Sequence, residues 1–214
     1  MSKAIFFWVG VFLGIIALLV LLAKFGEKAT APTSPPIAEI NIIKNSDWVK
    51  GDRQSKTILV GYSDFQCPAC RAIIPTEQEI LQSYGDKLAF VYRHFPIYTI
   101  HANATLAGQA AEAAGKQGKF WEYHDILFEK QPEWADLKDA APKFIEYASL
   151  LSLDANRFES DMNSDDAKQR VLGDAQEAAG YGVNSTPTYY LNGSKLNLKS
   201  YDEFKNLVKA AVEP

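Results

Sequence analysis

Cys67 and Cys70, the only cysteines in 214 residues, lie three apart in the run Phe65-Gln66-Cys67-Pro68-Ala69-Cys70. A disulfide between them closes so small a loop that it removes little entropy from the unfolded chain, which makes it a poor brace. Reversible thiol chemistry explains the pair better. Where such a run leaves a strand and opens a helix, the first cysteine sits at the helix N-terminus. Free N–H groups and the macrodipole favour a thiolate there.

The flanking sequence supplies that setting. Residues 57–62 (TILVGY) form a β-branched, apolar run ending just before the cysteines, which predicts a strand. Pro68 suits a first helical turn, and Ile73, Ile74, Ile80 and Leu81 give that helix a partial apolar face. Pro75 falls inside it, where a kink is expected. Residues 88–92 (LAFVY) predict the next strand, so strand, helix and strand imply a right-handed crossover and a parallel pair. A further short strand is expected over residues 37–43 (IAEINII).

Helical signals dominate from there to the last strands. Residues 101–116, 120–130 and 140–151 have helical spacing, Asp154 is a candidate cap, and Ser164-Asp165-Asp166 opens a helix ending at Gly180. This is too much chain for one crossover, so a helical insertion of about residues 97–182 is expected. Residues 188–191 (TYYL), the Asn192-Gly193 turn and residues 195–198 (KLNL) predict a hairpin. Residues 201–212 then predict a closing helix with Phe204, Leu207, Val208 and Ala211 on one face.

The N-terminus has a different character. Residues 5–23 carry no charge and lie between Lys3 and Lys24; as a helix this run would span about 28 Å, close to the hydrocarbon thickness of a bilayer. A cleaved signal and a retained anchor compete. Ala29-Thr30-Ala31 resembles a cleavage site, but Pro32 follows it and makes that bond a poor substrate. The expectation is therefore a cytoplasmic tip and transmembrane anchor, or uncleaved signal, over residues 1–25. A Pro/Ser/Thr tether follows over 26–38, and a folded domain over 39–214. Flanking lysines do not settle orientation. A lone Cys-x-x-Cys pair behind an anchor suits an oxidising space, so the domain is placed on the extracytoplasmic side of the cell membrane, with a single pass.

Together these residues resemble the DsbA-like thiol:disulfide oxidoreductases. The resemblance rests on Asp64-Phe65-Gln66 before Cys67-Pro68-Ala69-Cys70, on Pro75, and on Ser185-Thr186-Pro187 before a strand and an Asn-Gly turn. Lys116-Gln117-Gly118-Lys119-Phe120-Trp121 adds a likeness to that family's helical insertion. It implies an α/β, thioredoxin-like fold with an inserted helical subdomain, here preceded by one N-terminal transmembrane helix. It also implies that Cys67 attacks, that Cys70 resolves the mixed disulfide, and that Pro187 is cis. Thr186, Pro187, Phe65, Pro68 and Ala69 become the candidate substrate-binding residues. Two positions depart from the family pattern. Ala69 stands where oxidising relatives often have histidine, which predicts a milder oxidant. Gly61 stands where relatives often bury an acid that assists proton transfer.

The resemblance further implies exported, cysteine-containing protein substrates, a quinone-linked membrane redox partner and no cofactor. The same pair could serve a reductase or isomerase, and a non-catalytic peptide- or Cu(I)-binding module is a reading of a different class. A net charge of −4 offers nothing to nucleic acid. Three histidines at these spacings match no common zinc pattern, so no metal site is expected.

Overall fold

The computed structural model describes residues 8, 9, 11–16 and 40–213. The N-terminal unit, residues 1–34, is separate from the unit that carries the cysteines. Its described residues are helical, with Phe12 and Leu13 exposed. No helix among the described residues is long and apolar enough to cross a membrane. The rest of the expected anchor and the whole tether lie outside the described residues.

The second unit is built on a five-stranded sheet in the order β1-β3-β2-β4-β5. Its strands are β1 (Trp48–Gly51), β2 (Ile58–Ser63), β3 (Ala89–His94), β4 (Thr188–Leu191) and β5 (Ser194–Lys195). β2 and β3 are parallel, as the strand–helix–strand pattern predicts, and the other neighbouring pairs are antiparallel. Helix α1 (Pro68–Tyr84) makes the β2–β3 connection and retains Pro75 within its length. Between β3 and β4 come α2 (Ala104–Gly115), α3 (Phe120–Glu129), α4 (Gln131–Trp134), α5 (Ala141–Leu150), α6 (Ala155–Met162) and α7 (Asp165–Gly180). Helix α8 (Tyr201–Val212) closes the chain. This is the expected thioredoxin-like α/β fold with its helical insertion.

Alternation along the central strands sorts the core. Leu59 of β2 and Phe90 of β3 pack with Ile73 and Ile80 of α1 and Phe204 and Val208 of α8. Val60, Tyr62 and Val91 face the opposite way, with Ile40, Ala178 and Tyr190. The caps follow the sequence signals: the Asp154 and Ser164 side chains accept from the N–H groups of Arg157 and Ala167.

Three local expectations fail, each for a tertiary reason. Residues 40–43 are not a strand, because the Ile40 and Ile42 carbonyls accept from the buried Arg93 guanidinium instead of a ladder; residues 37–39 lie outside the described part. The last hairpin arm shrinks to Ser194–Lys195, after which the Leu196 N–H still reaches the Tyr189 carbonyl before the chain leaves the sheet. Helix α2 starts at Ala104 rather than near His101, because the Ile97 N–H and the His101 ring are held by Asp64.

β1, which the sequence did not announce, ties the sheet to the insertion. Trp48 stacks on Phe120 at 4.5 Å and donates from Nε1 to Glu112 at 2.8 Å. The indole lies flat against Gly115, where an added Cβ would fall 2.3 Å from Trp48 Cζ2. Overpacking of this kind costs about 1–3 kcal/mol. Gly115→Ala should therefore lower the unfolding free energy, read from chemical denaturation, by an amount in that range, and an unchanged free energy would show that the Trp48 contact is not a constraint.

Candidate active site

Cys67 is the N-cap of α1, with extended backbone angles and Pro68 immediately after it. The register is fixed from below, since β2 ends at Ser63 and the Asp64 carbonyl accepts the Cys67 N–H at 3.1 Å. One turn into the helix, Cys70 is fully buried, while Pro68 and Ala69 are exposed between the two sulfurs. Both cysteines are in the thiol state.

The two thiols have opposite electrostatics. Cys67 is lowered from an ordinary 9.0 to about 5. The largest cause is the hydrogen bond from the Cys70 thiol, against which partial burial works. Thr186 and the N–H groups of Cys70 and Ala69 add to the stabilisation. Cys70 is pushed well above its ordinary value, first by burial and then by the Cys67 sulfur it serves. The arrangement gives one anionic nucleophile and one protonated partner.

Thr186 and Pro187 come to the same place from the other end of the chain. The Thr186–Pro187 peptide bond is cis, as the resemblance implies. The Thr186 carbonyl lies 3.6 Å from Cys67 Sγ, and Thr186 Oγ1 is buried with no geometric hydrogen-bond partner among the described residues. Beside them, Ala69, Ile73, Pro187, Tyr189, Leu196 and Leu198 line a groove of about 610 Å³ with Lys195 and Lys199 at its edge. Ala69 and Pro187 therefore border a surface that an extended peptide can reach.

Phe65 is placed differently. It is buried against Tyr92 at 5.2 Å, Phe128 at 5.0 Å and His124 at 5.6 Å. Its side chain belongs to the core that supports the loop rather than to the docking face. Asp64 also turns away from the sulfurs, accepting from the Gln66 and Ile97 N–H groups at 2.7 and 2.8 Å and from His101 Nδ1 at 2.7 Å.

Several residues matter to this site that sequence reasoning missed. Gln131 donates from Nε2 to the carbonyls of Phe65 at 2.7 Å and Cys67 at 3.0 Å. Gln66 bridges the Asn103 N–H and the Ala135 carbonyl. The insertion thus clamps the active-site loop by its backbone, which no local motif announces. Glu77 was also missed. It is buried on α1, hydrogen-bonded to the Tyr189 hydroxyl and raised to about 7 by burial. Its spacing was a usable signal, because positions 70, 73, 77 and 80 repeat on one buried helix face.

The histidines serve other contacts: His94 meets Glu112, His101 meets Asp64 and His124 meets Asp125. Among the described residues, no group of three His, Cys, Asp or Glu side chains converges to hold a metal ion.

The lowered Cys67 value ties stability to pH. Between about pH 5 and pH 9 the folded dithiol binds fewer protons at Cys67 than the unfolded chain. Its stability from this group rises with pH across that window and is lost as pH falls through 5. The disulfide form lacks the group. Denaturation of the two redox forms in parallel should show the dithiol gaining on the disulfide from pH 5 to 9; a pH-independent difference would contradict the assignment.

Comparison with known proteins places this geometry. A family model described as Thioredoxin matches residues 44–210. α-DsbA1 of Wolbachia pipientis has a similar structure, with a TM-score of 0.72 at 19% identity, over 81% of this chain and 94% of that one. Oxidised BdbD of Bacillus subtilis gives 0.68 at 21% identity, over 78% and 92%. Among curated sequences, the Na(+)/H(+) antiporter NhaA 1 of Mycolicibacterium vanbaalenii is 34% identical over 85% of this chain, but over only 30% of its own length. NhaA 3 of Salinispora tropica is 37% identical over 70% of this chain and 22% of its own. The chain spans less than a third of these antiporters, so the likeness concerns one part of them. Given the match over residues 44–210 and the Cys67–Cys70 and Thr186–Pro187 geometry, the chain belongs to the thioredoxin family.

Proposed function

We propose that this protein is an extracytoplasmic thiol:disulfide oxidoreductase that forms disulfides in exported proteins. The observation that carries the reading is the division of labour between an anionic Cys67 at the helix start and a buried, protonated Cys70. In the oxidising direction, a client thiolate attacks Cys67 Sγ of the Cys67–Cys70 disulfide. The S–S bond breaks, its electron pair goes to Cys70, and Cys70 takes up a proton. The second client thiolate then attacks the client sulfur of the mixed disulfide. A client disulfide forms, and Cys67 leaves as the thiolate that its surroundings stabilise. Two electrons have passed from client to protein, and a quinone-linked membrane partner would remove them.

A good leaving thiolate drives that direction, because stabilising the reduced form raises the reduction potential. A Cys67 value of about 5 falls between thioredoxin's, about 7, and that of DsbA, about 3.5. The potential should accordingly lie between about −270 and −120 mV, consistent with Ala69 in place of a further cationic donor. Equilibration with a glutathione buffer measures it; a value at or below thioredoxin's would make the protein a reductant.

The location rests on the uncharged run of residues 5–23 and on the chemistry of an oxidising compartment. Clients would dock as an extended segment along Thr186 and the groove beside Pro187. A Cys70→Ser protein, produced with its full N-terminus, should accumulate mixed disulfides with exported proteins through Cys67. These adducts should disappear on reduction and be lost in the Cys67→Ser, Cys70→Ser double variant. Failure to trap any adduct would overturn the mechanism.

A further inference from the structure

The groove beside Pro187 carries the opposite charge to the chain that forms it. The protein has a net charge of −4, yet no carboxylate lines the groove, and Lys195 and Lys199 are its only charged residues among those described. Its floor is apolar. Ile73 comes from α1, Tyr189 from β4, and Leu196 and Leu198 from the chain that follows β5. The lining extends from Ala69, between the two cysteines, to Tyr201 at the start of α8.

Both lysines are available to a ligand. Lys195 sits on β5, an edge strand, and both it and Lys199 are exposed. Neither ammonium forms an ion pair among the described residues. The carboxylates close by in sequence are engaged elsewhere. Glu203 accepts the Lys199 backbone N–H at 2.7 Å, in the first turn of α8. Glu79 and Asp202 share Lys205, each at 3.1 Å. Two cations thus stand beside an apolar floor without an internal counter-charge.

We propose that this groove selects clients by charge: it takes extended segments in which an apolar side chain near the reacting cysteine is flanked by carboxylates, and Lys195 and Lys199 are the residues that recognise them. The floor receives the apolar side chain, and burying it supplies most of the attraction. A client carboxylate gains from each lysine, whereas a client lysine or arginine is repelled. Exposed pairs of this kind add little to affinity, but they speed the encounter and turn away the wrong partner. The reaction itself is unchanged, with two electrons and two protons passing from the client dithiol to the Cys67–Cys70 disulfide.

This selectivity rests on the thiol-exchange reading, and one experiment separates the two. The oxidised protein is mixed with reduced peptides of one sequence, each with two cysteines and a leucine between two variable positions. Those positions carry Glu, Gln or Lys. Oxidation is followed by acid quench and mass spectrometry. Each rate is divided by that peptide's rate with hydroxyethyl disulfide, a neutral reagent, which removes the effect of the flanking charge on the peptide thiols. The normalised rates should fall in the order Glu, Gln, Lys, with a spread of roughly 5- to 30-fold at low salt. The spread should contract in about 1 M salt, where the screening length is about 3 Å. Lys195→Gln combined with Lys199→Gln should bring the ratio of Glu to Lys peptide close to one, and Lys195→Glu with Lys199→Glu should invert it. Equal normalised rates in the wild type, or a spread that survives in the Gln double variant, overturns the selectivity alone. Equal rates together with binding to phosphatidylglycerol vesicles that the Gln double variant loses would assign the lysines to a lipid surface, and also overturns it. A wild type that oxidises none of the peptides overturns thiol exchange and the selectivity together.

Discussion

The hydrogen bond from the Cys70 thiol to the Cys67 sulfur is the interaction on which the chemistry of this protein depends. It exists because a helix places residue 70 one turn beyond residue 67, and because the helix begins at Cys67 and not a residue earlier or later. A shift of one position would bury the nucleophile or expose its partner. The same bond works in opposite senses on its two ends: it favours charge on Cys67 and disfavours it on Cys70. A symmetrical pair of thiols thereby becomes an ordered pair, with the charged member and the protonated member set apart by position alone.

Holding that register is a task shared by distant parts of the chain. The sheet supplies the start of the loop, and the insertion supplies the grip. Gln131 takes the carbonyls on either side of Gln66, while Gln66 itself is held by Asn103 and the Ala135 carbonyl. Asp64 binds the other flank, through Ile97 and His101. These are buried or half-buried bonds, most of them to backbone groups of the loop and the insertion, and hydrogen bonds of this kind favour one arrangement of the chain over others. The helical insertion is therefore part of the active site without contributing a reacting atom.

What was legible in the sequence followed from local rules. The strand before the cysteines, the α1 start at Pro68, the Asn192-Gly193 turn and the Asp154 and Ser164 caps each depend on a few adjacent residues. The residues that meet at the candidate site were legible for the same reason, since two cysteines and a Thr-Pro step form short, specific patterns. The misreadings share a different cause. Ile40 and Ile42 have the composition of a strand, but the carbonyls there serve Arg93, some fifty residues away. Phe65 adjoins the nucleophile in sequence, yet its ring points into the aromatic core. Adjacency in sequence located the site but did not say which side chains face outward.

Gly61 shows the sharper form of that problem. Read as a position in a pattern, it is a vacancy where an acid is missing. Read as a volume, it is what allows the Tyr189 and Phe90 rings to close over β2. An acid at 61 and a tyrosine at 189 would compete for one space, so the glycine and the tyrosine form a matched pair. With the tyrosine comes a hydroxyl that must find a partner inside the core, because an unpaired buried hydroxyl is penalised. Glu77 meets that need from the facing helix. A buried carboxyl costs least when neutral, and one hydrogen bond from a tyrosine only partly offsets the cost of its charge. The packing that excludes an acid from the strand thus produces, on the opposing helix, an acid tuned near neutrality.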